Sequence, residues 1–207
     1  MTKPITHTKK PFKLLDMNTC TLETTRIDIW SFKLDAPLPA PGMDVLSAEE
    51  TTRTRRFYFP HHQHHFARAR IMLRLILARY LHEAPKNLLF AYGKHGKPYL
   101  ENHTHLEFNL SHSGNHALLA VGKTHALGID IEHFSDRPYQ GIGKQVFSDE
   151  ENKILAELTP TLKPLMFFNI WAQKEAFIKL LGLGLAYPTT RLTVPGLSRE
   201  EHLVYDP

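Results

Sequence analysis

Gly128-Ile129-Asp130-Ile131-Glu132 alternates apolar and acidic residues. On an extended chain, residues two apart share a face. Asp130 and Glu132 therefore stand side by side, while Ile129 and Ile131 turn toward a core. Neighbouring carboxylates repel unless a cation or a proton comes between them. Hard oxygen donors in this arrangement suit Mg²⁺ or Mn²⁺. The same pentapeptide also reads as a solvated strand face near a sheet edge. Further on, Trp171-Ala172-Gln173-Lys174-Glu175-Ala176-Phe177-Ile178-Lys179 sets Trp171, Glu175 and Lys179 four residues apart. That spacing puts them on one helix face, where a Glu–Lys pair is commonly a surface ion pair. The glycine-rich exit Gly182-Leu183-Gly184 beside Lys179 lets a bulky group approach the helix end.

Other stretches carry weaker signals. In Asn109-Leu110-Ser111-His112-Ser113 a serine adjoins a histidine. Adjacent strand residues face opposite ways, and no G-x-S-x-G elbow is present. A hydrolase reading is therefore disfavoured; a grip on phosphate or amide, or a hydrogen-bonded turn, fits better. Gly96-Lys97-Pro98 is a turn with a lysine. His61-His62-Gln63-His64-His65 has helical spacings that can bind zinc, but no acidic or cysteine partner lies close in sequence, and a helix start explains it more simply. Arg53, Arg55 and Arg56 are the densest positive cluster, either phosphate contacts or solvated side chains.

The elements that must position these residues can be read from periodicity and breakers. Residues 1–25 read as a loose leader. A strand is predicted over Ile27–Leu34, then a loop holding Pro37, Pro39 and Pro41. Ser47-Ala48-Glu49-Glu50 is a capping box opening a short helix to Arg56. Pro60 ends that stretch and opens the longest helix, about His61–His82. Its stripe Phe66, Ala69, Leu73, Ile76, Tyr80 should be buried, with Arg68, Arg70, Arg74 and Arg79 mostly on the other side. Strands are expected over Leu88–Tyr92, His105–Leu110, Ala117–Val121 and Leu127–Glu132, the last three as an antiparallel meander. A second capping box, Ser148–Glu151, opens a helix to about Leu158. Thr161–Leu181 is a further helix, capped by Gly182. Arg191–Val194 and His202–Tyr205 are the remaining strand candidates. This order predicts an α+β fold, with helices on one face of a mostly antiparallel sheet.

The 207 residues include one cysteine, Cys20, which excludes a disulfide framework and any cysteine-based zinc module. The net charge of +4 suits phosphate-bearing partners without requiring them. No apolar run reaches membrane-spanning length, and the N-terminus lacks a signal-peptide core. The expectation is a cytoplasmic protein with no membrane partner.

Taken in order, GKP, FNLSHS, GIDIE and WAQKEAFIK followed by LGLGL resemble the 4′-phosphopantetheinyl transferase superfamily. The match is to its Sfp type, and the upstream RRFYF at Arg55–Phe59 resembles the family as well. The resemblance implies two similar α/β subdomains in a pseudo-twofold arrangement. They would divide as 1–126, with the leader 1–25, and 127–207, the second shortened and read as incomplete. It also implies transfer of the phosphopantetheine arm of coenzyme A to a serine of an apo acyl or peptidyl carrier protein. Carried over by motif, Asp130, Glu132 and Glu175 would hold Mg²⁺ (Mn²⁺ being the other candidate). Lys179 would neutralise the bridging phosphates, and Glu175, directly or through a water, would act as base. Ser111 and His112 would meet the nucleotide's phosphate end, Lys97 would lie along the nucleotide, and Arg53 would sit near the 3′-phosphate. Two positions depart from the pattern. Glu50 stands where some relatives have a lysine, and Phe66 where some have a ligand-contacting threonine, which implies a weaker or rebuilt 3′-phosphate grip.

Two other functions fit the residues. A metal-dependent nuclease or phosphoesterase would use the same carboxylates and lysine, although the arginines form no stripe with interleaved aromatics, so nucleic acid is not expected as a partner. A non-catalytic carrier-binding relative is the other, motivated by the short stretch after Glu175. That shortness also leads us to expect a monomer with an exposed apolar patch near the Thr161–Leu181 helix, through which it can self-associate.

Overall fold

The computed structural model describes residues 20–134 and 139–194. Ser47 opens the first helix as predicted. Its Oγ accepts from the Glu50 N–H at 3.1 Å, while Glu50 Oε2 accepts from the Ser47 N–H at 2.9 Å. Helix α1 runs Ala48–Arg55 and α2 runs Pro60–Leu81. Pro60 at the first helical position has no N–H to leave unpaired.

Glu50 does more than cap. It is 5% exposed and joins α1 to α2 through two buried arginines. Arg70 Nε donates to its Oε1 at 2.6 Å and Arg74 Nε to its Oε2 at 2.7 Å. Arg70 Nη2 lies 2.6 Å from Oε1, close enough for charge attraction, though its angle leaves it without a hydrogen bond. Arg74 Nη1 continues to the carbonyls of Pro85 and Leu88, fixing the chain that follows α2. The expectation that the α2 arginines mostly face away from the core is thus corrected. Arg70 and Arg74 are buried among Ile71, Leu73 and Leu77 because a buried carboxylate meets them there. Burial pushes the Glu50 carboxyl up, but Arg70, the Ser47 N–H and Arg74 outweigh it and hold its pKa below the ordinary value.

The strands are β1 (Asp28–Lys33), β2 (Phe90–Tyr92), β3 (Pro98–Leu100), β4 (Leu106–Ser113) and β5 (His116–Lys123). β1, β5 and β4 form one antiparallel sheet in that order, and β2 pairs with β3 in a second. The short β3 emerges from what the sequence reads as a turn, with Pro98 as its first residue, a position open to proline. The larger sheet packs on α2. Phe32, Leu73, Leu77, Phe108, Leu119 and Val121 form one core cluster, and each fully buried side chain of this size contributes about 1.5–3 kcal/mol. β1 turns Asp28, Trp30 and Phe32 inward and leaves Ile29 49% exposed. Asp28 is tolerated there because it accepts from Arg26 Nε at 2.6 Å and from the Tyr80 hydroxyl at 2.7 Å. The predicted leader divides at residue 20. Residues 1–19 lie outside the described residues, whereas Cys20 is buried and Leu22 packs on the core.

The α-helices described after β5 are α3 (Tyr139–Val146), α4 (Asp149–Glu157) and α5 (Lys163–Leu181). Both the second capping box and the Gly182 cap, at φ 65°, form as predicted. All described strand ladders thus belong to residues up to Lys123. Glu151 and Lys174, each 1% exposed or less, pair at 2.7 Å. Lys174 donates to the carbonyls of Thr189 and Leu192, and Glu151 Oε1 accepts from the Val194 N–H. The expected strand at Arg191–Val194 is therefore a short 3₁₀ turn, Thr189–Arg191, and a tied-down extension. The strand expected at His202–Tyr205 lies outside the described residues. At the end of α5, Leu180 and Leu181 stay 36% and 40% exposed, Leu183 just beyond is exposed too, and Leu162 is exposed at the helix's other end. No described helix is long and apolar enough to cross a membrane.

Replacing Glu50 by glutamine leaves two buried guanidinium groups without their counter-charge, and stability should fall by about 3 kcal/mol in urea titrations at neutral pH. The sign with pH follows from the lowered pKa. The stabilisation is present above the ordinary carboxylate pKa and is lost as pH falls through the lowered one. Wild-type stability should therefore drop in acid more steeply than that of Glu50→Gln.

Candidate functional site

Asn109, Ser111 and Ser113 alternate along β4 and so share one face. Residues 127–133 lie extended against it. The sequence reading made Leu127–Glu132 a strand of an antiparallel meander, and here the structure differs. The segment has no backbone ladder. Asn109 Oδ1 accepts from the Ile129 N–H at 2.8 Å, Ser111 Oγ from Ile131 at 3.4 Å and Ser113 Oγ from His133 at 2.9 Å. Both numberings rise together, so the segment runs parallel to β4 and is held by side chains. A helix on the segment's other side explains the arrangement. A Cβ on Gly128 would come within 1.9 Å of the Ala176 carbonyl oxygen and 2.5 Å of the Leu180 nitrogen. Glycine lets the segment touch the α5 backbone.

From Gly128 the segment runs back along α5. Lys179 pairs with Asp130 Oδ1, and two residues on, Glu132 Oε1 accepts from Trp171 Nε1 at 2.8 Å. Trp171, Glu175 and Lys179 occupy successive turns of one face, so Glu175 falls between the two contacts. Its pKa is raised above that of a free glutamate. Burial is the main cause, opposed by Lys179 and reinforced by the negative charges of Asp130 and Glu132. Three carboxylates thus feel one another with Lys179 among them. Asp130 Oδ1 also accepts from Ser111 Oγ at 2.8 Å, whereas its Oδ2 is buried with no partner. An orphaned anionic oxygen is costly to bury, and a hard cation would satisfy it. In donor chemistry Asp130, Glu132 and Glu175 fit such an ion. Among the described residues no three His, Cys, Asp or Glu side chains converge closely enough to enclose one as they stand. The histidine run at 61–65 gathers no such group either, and His64 Nε2 bonds the Ala36 carbonyl at 2.8 Å.

The cations divide. Ser111 belongs to the cluster, since its Oγ also accepts from Lys179 Nζ at 2.8 Å. Much of the His112 side chain meets solvent. Even so, the protein mass around its ring and the charge of Lys179 lower its pKa. Lys97 Nζ donates to the carbonyls of Leu127 and Leu180, at 2.8 and 3.0 Å, tying the turn after β2 to the segment's start and the end of α5. Arg53 lies apart from these contacts. It lines a cleft of about 680 Å³ with Ala48, Glu49, Thr52, Arg56 and Phe57, and its guanidinium sits 5.1 Å over the Phe66 ring. Glu50 is turned inward to Arg70 and Arg74, which accounts for a carboxylate at that position. Sequence reasoning missed Trp171 as a donor to Glu132, Gly128 as a contact point, and Asn109 and Ser113 as supports. The alternation of Asn109, Ser111 and Ser113 was the available signal.

Two family models cover most of the chain. One, of the 4′-phosphopantetheinyl transferase superfamily, matches residues 126–201, and one of the N-terminal part of 4′-phosphopantetheinyl transferases matches residues 41–124. The transferase HetI of Nostoc is 38% identical over 175 residues, spanning 80% of this chain and 73% of that protein. The chain belongs to the 4′-phosphopantetheinyl transferase superfamily. A 4′-phosphopantetheinyl transferase of Bacillus subtilis is 32% identical, over 80% of this chain and 75% of that protein. Sfp of Bacillus subtilis is 28% identical over the same shares. All three are named as transferases, which gives the phosphoesterase alternative no support. The adjoining matches also fit the two-subdomain form of the fold.

Gly128→Ala should lower stability by about 1–3 kcal/mol, as overpacking against backbone does, measurable by thermal melting. It should reduce transfer as well, because Asp130 is two residues away. Glu175→Gln should do the reverse for stability. A raised carboxyl pKa means the folded state gains from the protonated form, a gain lost as pH rises through that pKa. The metal-free variant should match the parent in acid and melt higher at neutral pH.

Proposed function

We propose that the protein transfers the 4′-phosphopantetheine arm of coenzyme A to a serine of an apo acyl or peptidyl carrier protein, at the cluster formed by Asp130, Glu132, Glu175 and Lys179. The transferase activity follows from family membership, and the residue roles are our assignment. The observation that carries them is Asp130 paired with Lys179 on α5 and Glu132 with Trp171 on the same helix face as Glu175, while Asp130 Oδ2 is buried without a partner.

The carrier's serine oxygen forms a bond to the β-phosphorus of coenzyme A. The bond from that phosphorus to the bridging oxygen breaks, and adenosine 3′,5′-bisphosphate leaves with the electron pair. Glu175 takes the serine proton, directly or through one water. Its raised pKa brings it nearer to neutral pH, which suits a general base. Lys179 would stand by the bridging oxygen where negative charge accumulates, and a fixed cation there favours the transition state over the ground state. Asp130, Glu132 and Glu175 would hold Mg²⁺, which when bound supplies positive charge to the pyrophosphate. Ser111 and His112 would face the phosphates, with Arg53 and Lys97 toward the nucleotide; Lys97 would give up its bonds to two carbonyls to do so.

The test incubates the protein with coenzyme A, Mg²⁺ and a panel of apo carriers, and reads the mass gain of the intact carrier. Asp130→Ala should abolish the gain with the fold retained. Lys179→Ala should lower kcat and kcat/KM together by roughly a hundredfold. An effect confined to the KM for coenzyme A would make Lys179 an anchor only.

A further inference from the structure

Two serines of β4 meet the two carboxylates in the same way. Ser111 Oγ accepts from the N–H of Ile131 and donates to Asp130 Oδ1. Ser113 Oγ accepts from the N–H of His133 at 2.9 Å and donates to Glu132 Oε2 over a longer 3.4 Å. Each hydroxyl thus clasps one carboxylate and the amide that follows it. Asn109, 5% exposed, adds a third rung by accepting from the Ile129 N–H at 2.8 Å. The rungs are two residues apart on β4 and two apart on the segment, so they fix the segment's register.

We infer that Ser113 and Asn109 are positioning residues, holding Glu132 and Asp130 in register with Glu175 and Lys179 of α5. The inference rests on the carboxylate assignment above. Three properties of the contacts support it. The segment has no backbone ladder to set its register; Lys97 and Gly128 fix its start at Leu127 and Gly128, and beyond that the rungs and the carboxylates' own contacts hold it. Ser113 Oγ and Trp171 Nε1 share Glu132 between them, one oxygen each, which fixes its rotamer from two elements. A hydroxyl is both donor and acceptor, so serine can serve an N–H and a carboxylate at once, and alanine can serve neither. Supports of this kind typically change metal affinity or activity by about 10- to 100-fold when removed.

The experiment compares Ser113→Ala with Ser113→Thr, and Asn109→Leu with Asn109→Asp, beside the parent and Asp130→Ala. Each pair removes and then restores the accepting oxygen. Ser113 lies near the end of its strand, so its variants should stay folded even if those at Asn109 do not. Three readouts are taken: carrier modification against Mg²⁺ concentration, the rise in melting temperature that Mg²⁺ induces, and amide hydrogen exchange at Ile129 and His133. Ser113→Ala should speed exchange at His133. It should raise the Mg²⁺ needed for half-maximal rate, or lower kcat, by roughly 10- to 100-fold, and shrink the Mg²⁺-induced melting shift. The KM for coenzyme A should move little, and Ser113→Thr should recover most of the loss. If Ser113→Ala and Asn109→Leu keep the parental rate and Mg²⁺ response while Asp130→Ala is inactive, the positioning role is wrong and the carboxylate assignment stands. A Ser113→Thr variant as impaired as Ser113→Ala also overturns it. If Asp130→Ala itself retains the parental rate, the carboxylate assignment falls and takes this inference with it.

Discussion

Asp130 and Glu132 carry like charge on one face of one short segment, and that repulsion has to be answered by donors the segment cannot supply. In this fold the donors come from both sides. β4 offers the hydroxyls of Ser111 and Ser113, and α5 offers Lys179 and Trp171. Both elements reach the same segment only because it is thin enough to lie between them. Gly128 is the point of closest approach, with the α5 backbone where a side chain would otherwise begin. The glycine is therefore part of the electrostatics. Without contact at that point, Lys179 and Trp171 have no fixed distance from the carboxylates.

A trade of the same kind holds the first half together. Glu50 is buried with Arg70 and Arg74, and it also caps α1. A lysine at this position would put a third cation beside two buried arginines. The whole arrangement must then differ, and the departure is not a missing ligand contact considered alone. Phe66 follows the same logic, since it packs on Phe57 and lies beneath Arg53. Arg53 is exposed and rests on this ring, which leaves its nitrogens open to a phosphate in the cleft along α1.

What the sequence made legible was local. Both capping boxes, the Pro60 start, the Gly182 cap and the strand at Ile27–Leu34 depend on residues close together in the chain, or on strict alternation. The i,i+4 spacing of Trp171, Glu175 and Lys179 was legible for the same reason. What was not legible depends on partners far along the chain. Arg70 and Arg74 look like surface residues until Glu50, twenty and twenty-four positions away, is known to be buried with them. Residues 127–132 alternate like a strand, and periodicity cannot report that their amides end on side chains instead of a ladder. The order of the four motifs carried the family, but no motif shows which of its residues touch a ligand and which hold the others in place.

Lys97 shows how the two functions can meet in one side chain. Its ammonium is bonded to the carbonyls of Leu127 and Leu180, so it ties the start of the carboxylate segment to the end of α5. Burial lowers its pKa, opposed by the charge of Glu107. Two neutral carbonyls satisfy a cation less well than a charged partner does, because charge-assisted bonds to anions are the stronger ones. A phosphate arriving near the β2–β3 turn would therefore compete well for this lysine. Drawing it away would free the Leu127 and Leu180 carbonyls together, at the two ends of the contact that Gly128 makes with α5. Lys97 thus links the β2–β3 turn to the spacing of the carboxylates from Lys179 through one ammonium group, and Gly182, where a Cβ would lie 3.3 Å from the Lys97 side chain, leaves that side chain its room.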